Sequence, residues 1–158
     1  MPHRIEPDTV GFLLTDLSRL IRAEFDRRIG EAGLSVTAGE ARTLVHAARA
    51  GEVRQNALAE QMGIEAMTLT DYLDRLEARG LVERRPDPAD RRAKLVCLTD
   101  LAGGMLAEIA AVAVSVRAQA SAGISDADWV RLLEMLKTVR ANFLVRGTDP
   151  LKNETRAA

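Results

Sequence analysis

Residues 55–80 read QNALAEQMGIEAMTLTDYLDRLEARG. Leu58, Met62, Ile64, Leu69, Tyr72, Leu73 and Leu76 fall at core-facing positions of two short helices, expected over 55–62 and about 65–79. Gly63 divides them and can supply the backbone of a tight turn, and Ala59, four residues earlier, is small enough for the helices to approach closely. This spacing is that of a helix-turn-helix. An ordinary helical hairpin buried in a core has the same spacing, so the neighbouring sequence has to decide between them.

Immediately downstream, residues 83–99 read ERRPDPADRRAKLVCLT, with eight of the first twelve charged. LVERR (81–85) and KLVCLT (94–99) are candidate strands on either side of a Pro-Asp-Pro loop, which makes a hairpin. Each proline fixes its own φ and restricts its predecessor, which stiffens the loop. A strand–loop–strand behind a helix-turn-helix is the wing of a winged-helix module. Six basic residues (Arg79, Arg84, Arg85, Arg91, Arg92, Lys94) face three acids (Glu83, Asp87, Asp90) between 79 and 94, a local +3 in a chain whose formal charge is −1. Arginines at a hairpin tip suit phosphates and a narrow minor groove. The preceding helix has the opposite bias: Glu65, Asp71, Asp74 and Glu77 against Arg75 give −3 over 65–78.

Outward from this centre the chain is helical. Val10, Leu13, Leu14, Leu17, Leu20, Ile21, Phe25 and Ile29 describe one long amphipathic helix ending near Gly33. TAGE (37–40) has capping-box form, and the helix it opens is expected to turn Leu44, Val45 and Ala48 inward before stopping near Gly51. A helix from Leu101 to about Ser121 carries Leu106, Ile109, Val112 and Val116 along one side. SDAD (125–128) opens another through Trp129, Leu132, Leu133, Leu136, Val139 and Phe143, closed by Gly147 and Pro150. The expected fold is mainly α with a small β-hairpin wing. Its divisions are an N-terminal dimerisation helix (1–33), a winged helix-turn-helix (34–99), C-terminal dimerisation helices (100–147) and a flexible tail (148–158). A centre of this size leaves long apolar stripes uncovered, and a two-fold contact with a second copy is the simplest way to cover them.

Composition narrows the function. The chain has 158 residues, 47% of them apolar and 28% charged, which suits a folded domain. One cysteine, Cys97, excludes an internal disulfide framework and suits a reducing cytoplasm; in a strand between Val96 and Leu98 it reads as a small buried hydrophobe. No signal-peptide core and no membrane-spanning run is found. Two histidines, His3 and His46, and one cysteine do not build a usual metal site, and no phosphate loop or nucleophile–base pair is present. No cofactor, no metal and no enzymatic activity are expected.

Residues 34–104 resemble the MarR family of winged-helix transcriptional regulators. The resemblance is carried by LSVTAGEARTL (34–44), LAEQMGI (58–64) and LDRLEARGLVERRPDPADRRAKLVCLT (73–99), and above all by Asp90–Arg92 followed by Leu98-Thr99. The long flanking helices match in length and order. The resemblance implies a cytoplasmic homodimer on a pseudo-palindromic double-stranded DNA site, with residues 65–79 of each copy in successive major grooves and each wing in the adjacent minor groove. Arg92 would be the wing-tip minor-groove residue, oriented by Asp90 or sharing it with a nearby arginine. Arg91 and Lys94 would approach phosphates, with Arg84 in the same basic wing. On the recognition helix, Thr68, Thr70 and Arg75 would read bases, Met67 would meet a thymine methyl or fill the core, and Asp71 faces the choice between repelling phosphates and accepting from cytosine N4.

The family also senses small amphipathic ligands, often aromatic or phenolic acids, where the dimer helices meet the DNA-binding lobe. Here Leu17, Arg42, His46 and Met62 are the candidates, Arg42 and His46 lying four apart on one helical face. Arg42 has an alternative as a structural ion-pair partner. Such a chain would be a repressor released by its ligand. A second class stays open: a protein-interaction module whose acidic helix has given up groove binding.

Overall fold

The computed structural model describes residue 6 and residues 8–144. Among them the order is α1 (Val10–Glu31), α2 (Ala38–Ala50), β1 (Val53–Arg54), α3 (Gln55–Met62), α4 (Ala66–Ala78), β2 (Val82–Asp87), β3 (Asp90–Leu98), α5 (Ala102–Ala120) and α6 (Asp126–Leu144). The tail at 148–158, and the closing Gly147 and Pro150, lie outside the described residues. Among those residues no helix is long and apolar enough to cross a membrane. Residues up to 117 form one compact unit and those from 118 a second.

Local signals set most helix ends. Thr9 caps α1, accepting from the Phe12 N–H, and α2 opens on a complete capping box: the Glu40 N–H donates to Thr37 Oγ1 while the Thr37 N–H donates to the Glu40 carboxylate. Gly63 sits in the left-handed region at φ 63°, and the Ile64 N–H reaches back to the Ala59 carbonyl at 3.1 Å, which produces the tight α3–α4 turn. Ser125 caps α6, accepting from the Asp128 N–H.

The first unit is organised by one apolar cluster. Leu44, Leu58, Met62, Leu69, Leu73, Leu76, Val82, Val96 and Ile109 are buried in it, with Ile64, Leu106 and Val112 packed at its margin. Helix α2 turns Thr43, Leu44 and Ala47 inward; Val45 and Ala48, expected inside, face out. The inward stripe of α2 is set one residue aside from the expected one: Gly39 takes the contact with Tyr72 of α4, and the buried Thr43 satisfies its hydroxyl on the Gly39 carbonyl. The sheet has three antiparallel strands in the order β1-β3-β2. Two residues are too few to show a strand period, so β1 carries no sequence signal; it pairs Val53 with Val96 and Arg54 with Leu95.

Gly39 is where α2 meets α4. A Cβ there would lie 2.3 Å from Cζ of Tyr72. Gly39→Ala must displace that ring, and the overpacking is expected to exceed the small gain in helix propensity, lowering stability by about 1–2 kcal/mol. Thermal unfolding in a double-mutant cycle checks it: with Tyr72→Ala in place, the same substitution is expected to be neutral or stabilising. A loss of equal size in both backgrounds rules out the steric account.

Candidate nucleic-acid interface

Helix α4 buries Leu69, Leu73 and Leu76 against the core. Helical periodicity then assigns the opposite ridge to Met67, Asp71, Asp74 and Ala78, all exposed, with Met67 retaining 82% of its surface. Thr68 and Arg75 lie on the flank nearer α2, and Thr70 and Glu77 on the flank nearer the wing. Thr70 is already engaged: its hydroxyl donates to the Ala66 carbonyl and accepts from Gln55 Nε2, both at 3.0 Å, pinning α3 to α4.

The acidic residues of α4 have very different surroundings. Arg84 on β2 sends Nη2 to Asp74 and to Glu77, each at 2.6 Å, and its own N–H to Glu77 at 3.0 Å. Hydrogen bonds from Arg84 hold the Glu77 carboxyl below its ordinary range, against an opposing contribution from burial. Arg75 and Arg79 both approach the buried Glu40 of α2 at 3.7 Å, and Arg79 also donates to the Ser35 carbonyl. Among the described residues the Asp71 side chain has no hydrogen-bond or ion-pair partner.

The wing sorts its charges in the same way. Pro86 pairs with Lys94 but Asp87 pairs with Asp90, so Arg91, Arg92 and Ala93 have no partner across the hairpin and bulge from β3. Pro86 therefore lies within a strand, and the connection is shorter than the Pro-Asp-Pro loop expected from sequence. Asp87 is buried, accepting from the Ala89 N–H at 2.8 Å and from Arg54 Nε at 2.6 Å. The Ala89 bond, ahead of the Arg54 guanidinium, holds its carboxyl below the usual value although burial opposes the shift. The Arg54–Asp87 pair thus ties the wing tip to the start of α3. Asp90 accepts from the backbone N–H of Arg92 at 3.0 Å, so its contact shapes the loop and does not hold the Arg92 side chain. Of the six bases between 79 and 94, Arg79 and Arg84 are engaged as above, and Arg85 meets Glu83 and Glu52. Arg91, Arg92 and Lys94 have no ion pair or hydrogen bond from their side chains and stay exposed.

A cleft of about 410 Å³ separates the wing from the N-terminal ends of α3 and α4, lined by Gln55, Asn56, Ala66, Asp90, Arg92, Ala93 and Lys94. Neither helix has a side-chain cap there, since Arg54 and Glu65 at the N-cap positions make no capping bond. The uncapped first turn of α4 and two cations offer donors to a phosphodiester oxygen, while the Ala57 N–H of α3 is taken by Asn56 Oδ1, Gln55 Nε2 donates to Thr70, and Asp90 adds a carboxylate to the lining.

The four residues expected around a ligand are not gathered into one cavity. Met62 is 4% exposed inside the core, Arg42 is committed to Asp26 of α1, and Leu17 lies on the outer stripe of α1. His46 lines a cleft of about 490 Å³ with Arg49, Ala50, Glu52, Val53 and Gln61. Burial first, then Arg49, Arg22 and Arg42, push its pKa down. Arg49 was missed by sequence reasoning because the cleft it lines is completed by residues remote in the chain, such as Gln61. Cys97 is buried, and burial raises its thiol pKa.

Comparison with known proteins agrees with this geometry. The MarR family model matches residues 36–94. The crystal structure of the transcriptional regulator PA3341 is 39% identical, covering 85% of this chain and 98% of that one, with a TM-score of 0.68. A MarR-family transcriptional regulator from Rhodococcus sp. RHA1 is 26% identical, with coverage of 86% and 95% and a TM-score of 0.69. CouR from Rhodococcus jostii RHA1, in a structure bound to p-coumaroyl-CoA, is 25% identical, with coverage of 84% and 91% and a TM-score of 0.64.

Proposed function

The chain belongs to the MarR family of transcriptional regulators, and on that premise we propose that it is a homodimeric repressor of a pseudo-palindromic DNA site, released by a small amphipathic anion. The observation that carries DNA binding is the sorting of charge around α4. Arg84 pairs with Asp74 and Glu77 and offsets one of their two charges, while Arg91 and Arg92 on the bulge of the wing and Lys94 beside it stay open. Those three cations supply phosphate and minor-groove contacts, and the exposed ridge of α4 enters the major groove. Two-fold symmetry then sets half-sites one helical turn apart, about 10 bp centre to centre.

The apolar stripe of α1 supports the dimer. Val10, Leu13, Leu14, Leu17, Leu20 and Ile21 are each at least 40% exposed, a continuous face that a second copy would cover. In the second unit, Phe143 and Leu144 at the end of α6 are similarly open. For the ligand, Arg49 beside His46 in the cleft suits a carboxylate or a phosphate-bearing acyl compound, and CouR, described as bound to p-coumaroyl-CoA, is a relative of that habit. Release requires the anion to bind more tightly to the DNA-free arrangement.

Selection from a random duplex pool, followed by affinity measurements across salt, tests the reading. An inverted repeat is expected to be enriched. Arg92→Ala is expected to lower affinity at least tenfold and to reduce the slope of log K against log salt by about 1. No enrichment at any salt would overturn DNA recognition and favour the protein-interaction reading, for which Glu65 and Asp71 are the open acidic surface.

A further inference from the structure

Asp71 is the unexplained acid of the recognition helix. It stands at the centre of the ridge opposite the core, one turn beyond Met67, in the first half of α4. The N-terminal half of a recognition helix is the part that meets base edges. Arg84 engages Asp74 and Glu77, and Gln55 and Ala66 engage Thr70. Arg75 leans to Glu40. At the forward end of the ridge Asp71 and Met67, an acid and an apolar thioether, are exposed, and the nearest cation on the helix, Arg75 one turn beyond Asp71, leans to Glu40 and makes no ion pair with it.

Chemistry limits what such a pair reads. A carboxylate only accepts hydrogen bonds, and guanine O6 and N7 and thymine O4 are themselves acceptors. The exposed donors of the major groove are cytosine N4 and adenine N6, and the adenine amino group lies beside the N7 acceptor, which repels a carboxylate. Met67 has no strong polar group, and a thymine methyl is its complementary base edge.

We propose that Asp71 is the specificity-determining residue of the half-site, accepting a hydrogen bond from the N4 amino group of a cytosine, with Met67 against a neighbouring thymine methyl. The assignment rests on the DNA-binding reading above. It also gives the acid a purpose: a carboxylate in the groove weakens binding to every sequence through repulsion of phosphates and restores it at sites that offer the N4 donor, which increases discrimination.

The experiment is parallel selection and sequencing with the full-length wild-type protein and Asp71→Asn. Asparagine is nearly isosteric on an exposed helix position, and pairs with adenine N6 and N7. The wild-type motif is expected to contain a cytosine in each half-site, preferred about tenfold or more over other bases. In Asp71→Asn that one position is expected to change from cytosine to adenine, the rest of the motif to persist, and affinity for unrelated DNA to rise severalfold at low salt. A wild-type motif that Asp71→Asn leaves unchanged, or one with no cytosine preference, overturns the assignment while leaving DNA recognition in place. No enriched motif with the wild-type protein overturns both.

Discussion

Replacing Arg84 with alanine is expected to lower affinity for the enriched DNA site at least tenfold, although Arg84 does not lie on the ridge that faces the groove. Its side chain is 19% exposed and clamps two carboxylates of α4 from the neighbouring strand. Without it Asp74 and Glu77 would stand uncompensated beside the phosphate backbone. At separations near 8 Å and an intermediate dielectric, each such repulsion is on the order of 1 kcal/mol, and two exceed the 1.4 kcal/mol of a tenfold change. A residue that gripped a phosphate directly would show a similar loss, so rescue separates the two roles. Asp74→Asn with Glu77→Gln in the Arg84→Ala background is expected to recover most of the affinity. If the triple variant stays as weak as Arg84→Ala, direct phosphate contact is the better account.

The same clamp carries a pH signature. Arg84 holds the folded-state pKa of Glu77 below its ordinary value, so this linkage contributes stability above the ordinary carboxylate range and loses it as pH falls through the folded value. The stability deficit of Arg84→Ala is therefore expected in full at neutral pH and to shrink in acid. Urea midpoints measured from pH 7 downward report it.

Glu40→Ala is expected to produce the larger loss of stability, about 2–3 kcal/mol, or roughly 5–10 °C in melting temperature for a chain of this size. The side chain is 1% exposed. It closes the capping box with Thr37 at 2.9 Å and receives Arg75 and Arg79 from the far end of α4. Truncation leaves the Thr37 N–H without its acceptor and removes the carboxylate that two partly exposed guanidinium groups approach. Thr37→Ala removes only the cap and is expected to cost about 1 kcal/mol. Equal losses for the two variants would mean that the arginines contribute nothing. Since Glu40 fixes where α4 ends against α2, Glu40→Ala is also expected to weaken DNA binding at temperatures where it remains folded.

Much of the fold was legible along the chain. The steps from Leu58 to Leu76, the Thr37–Glu40 box, Gly63 and the hairpin around Pro88 are all short-range signals, and the elements they announce are present, the helices with ends within a residue or two and the second wing strand starting four residues earlier than expected, at Asp90. The long stripe of α1 was legible too, and its exposure accords with the expectation that something outside this core covers it. Missed were β1, too short to show a period, and the inward set of α2. That set turns on Gly39 accepting the ring of Tyr72, a residue 33 positions away in sequence.

The chemistry of the site divides along the same line. The sequence by itself determined that a basic hairpin follows an acidic helix, because charge and chain order need no coordinates. It also determined the helix-turn-helix, because periodicity and caps act within a few residues. Only the tertiary structure decided which of those charges are free. Arg84 meets Asp74 across 10 residues, Arg54 meets Asp87 across 33, and Arg79 meets the Ser35 carbonyl across 44. Net charge counts every ion alike, whereas recognition depends on those whose partners are not already supplied by the fold. Folding offsets one of the three net negative charges on the helix through Arg84 and concentrates the wing's unpaired charge into Arg91, Arg92 and Lys94, leaving Asp71 as the open acid on the ridge.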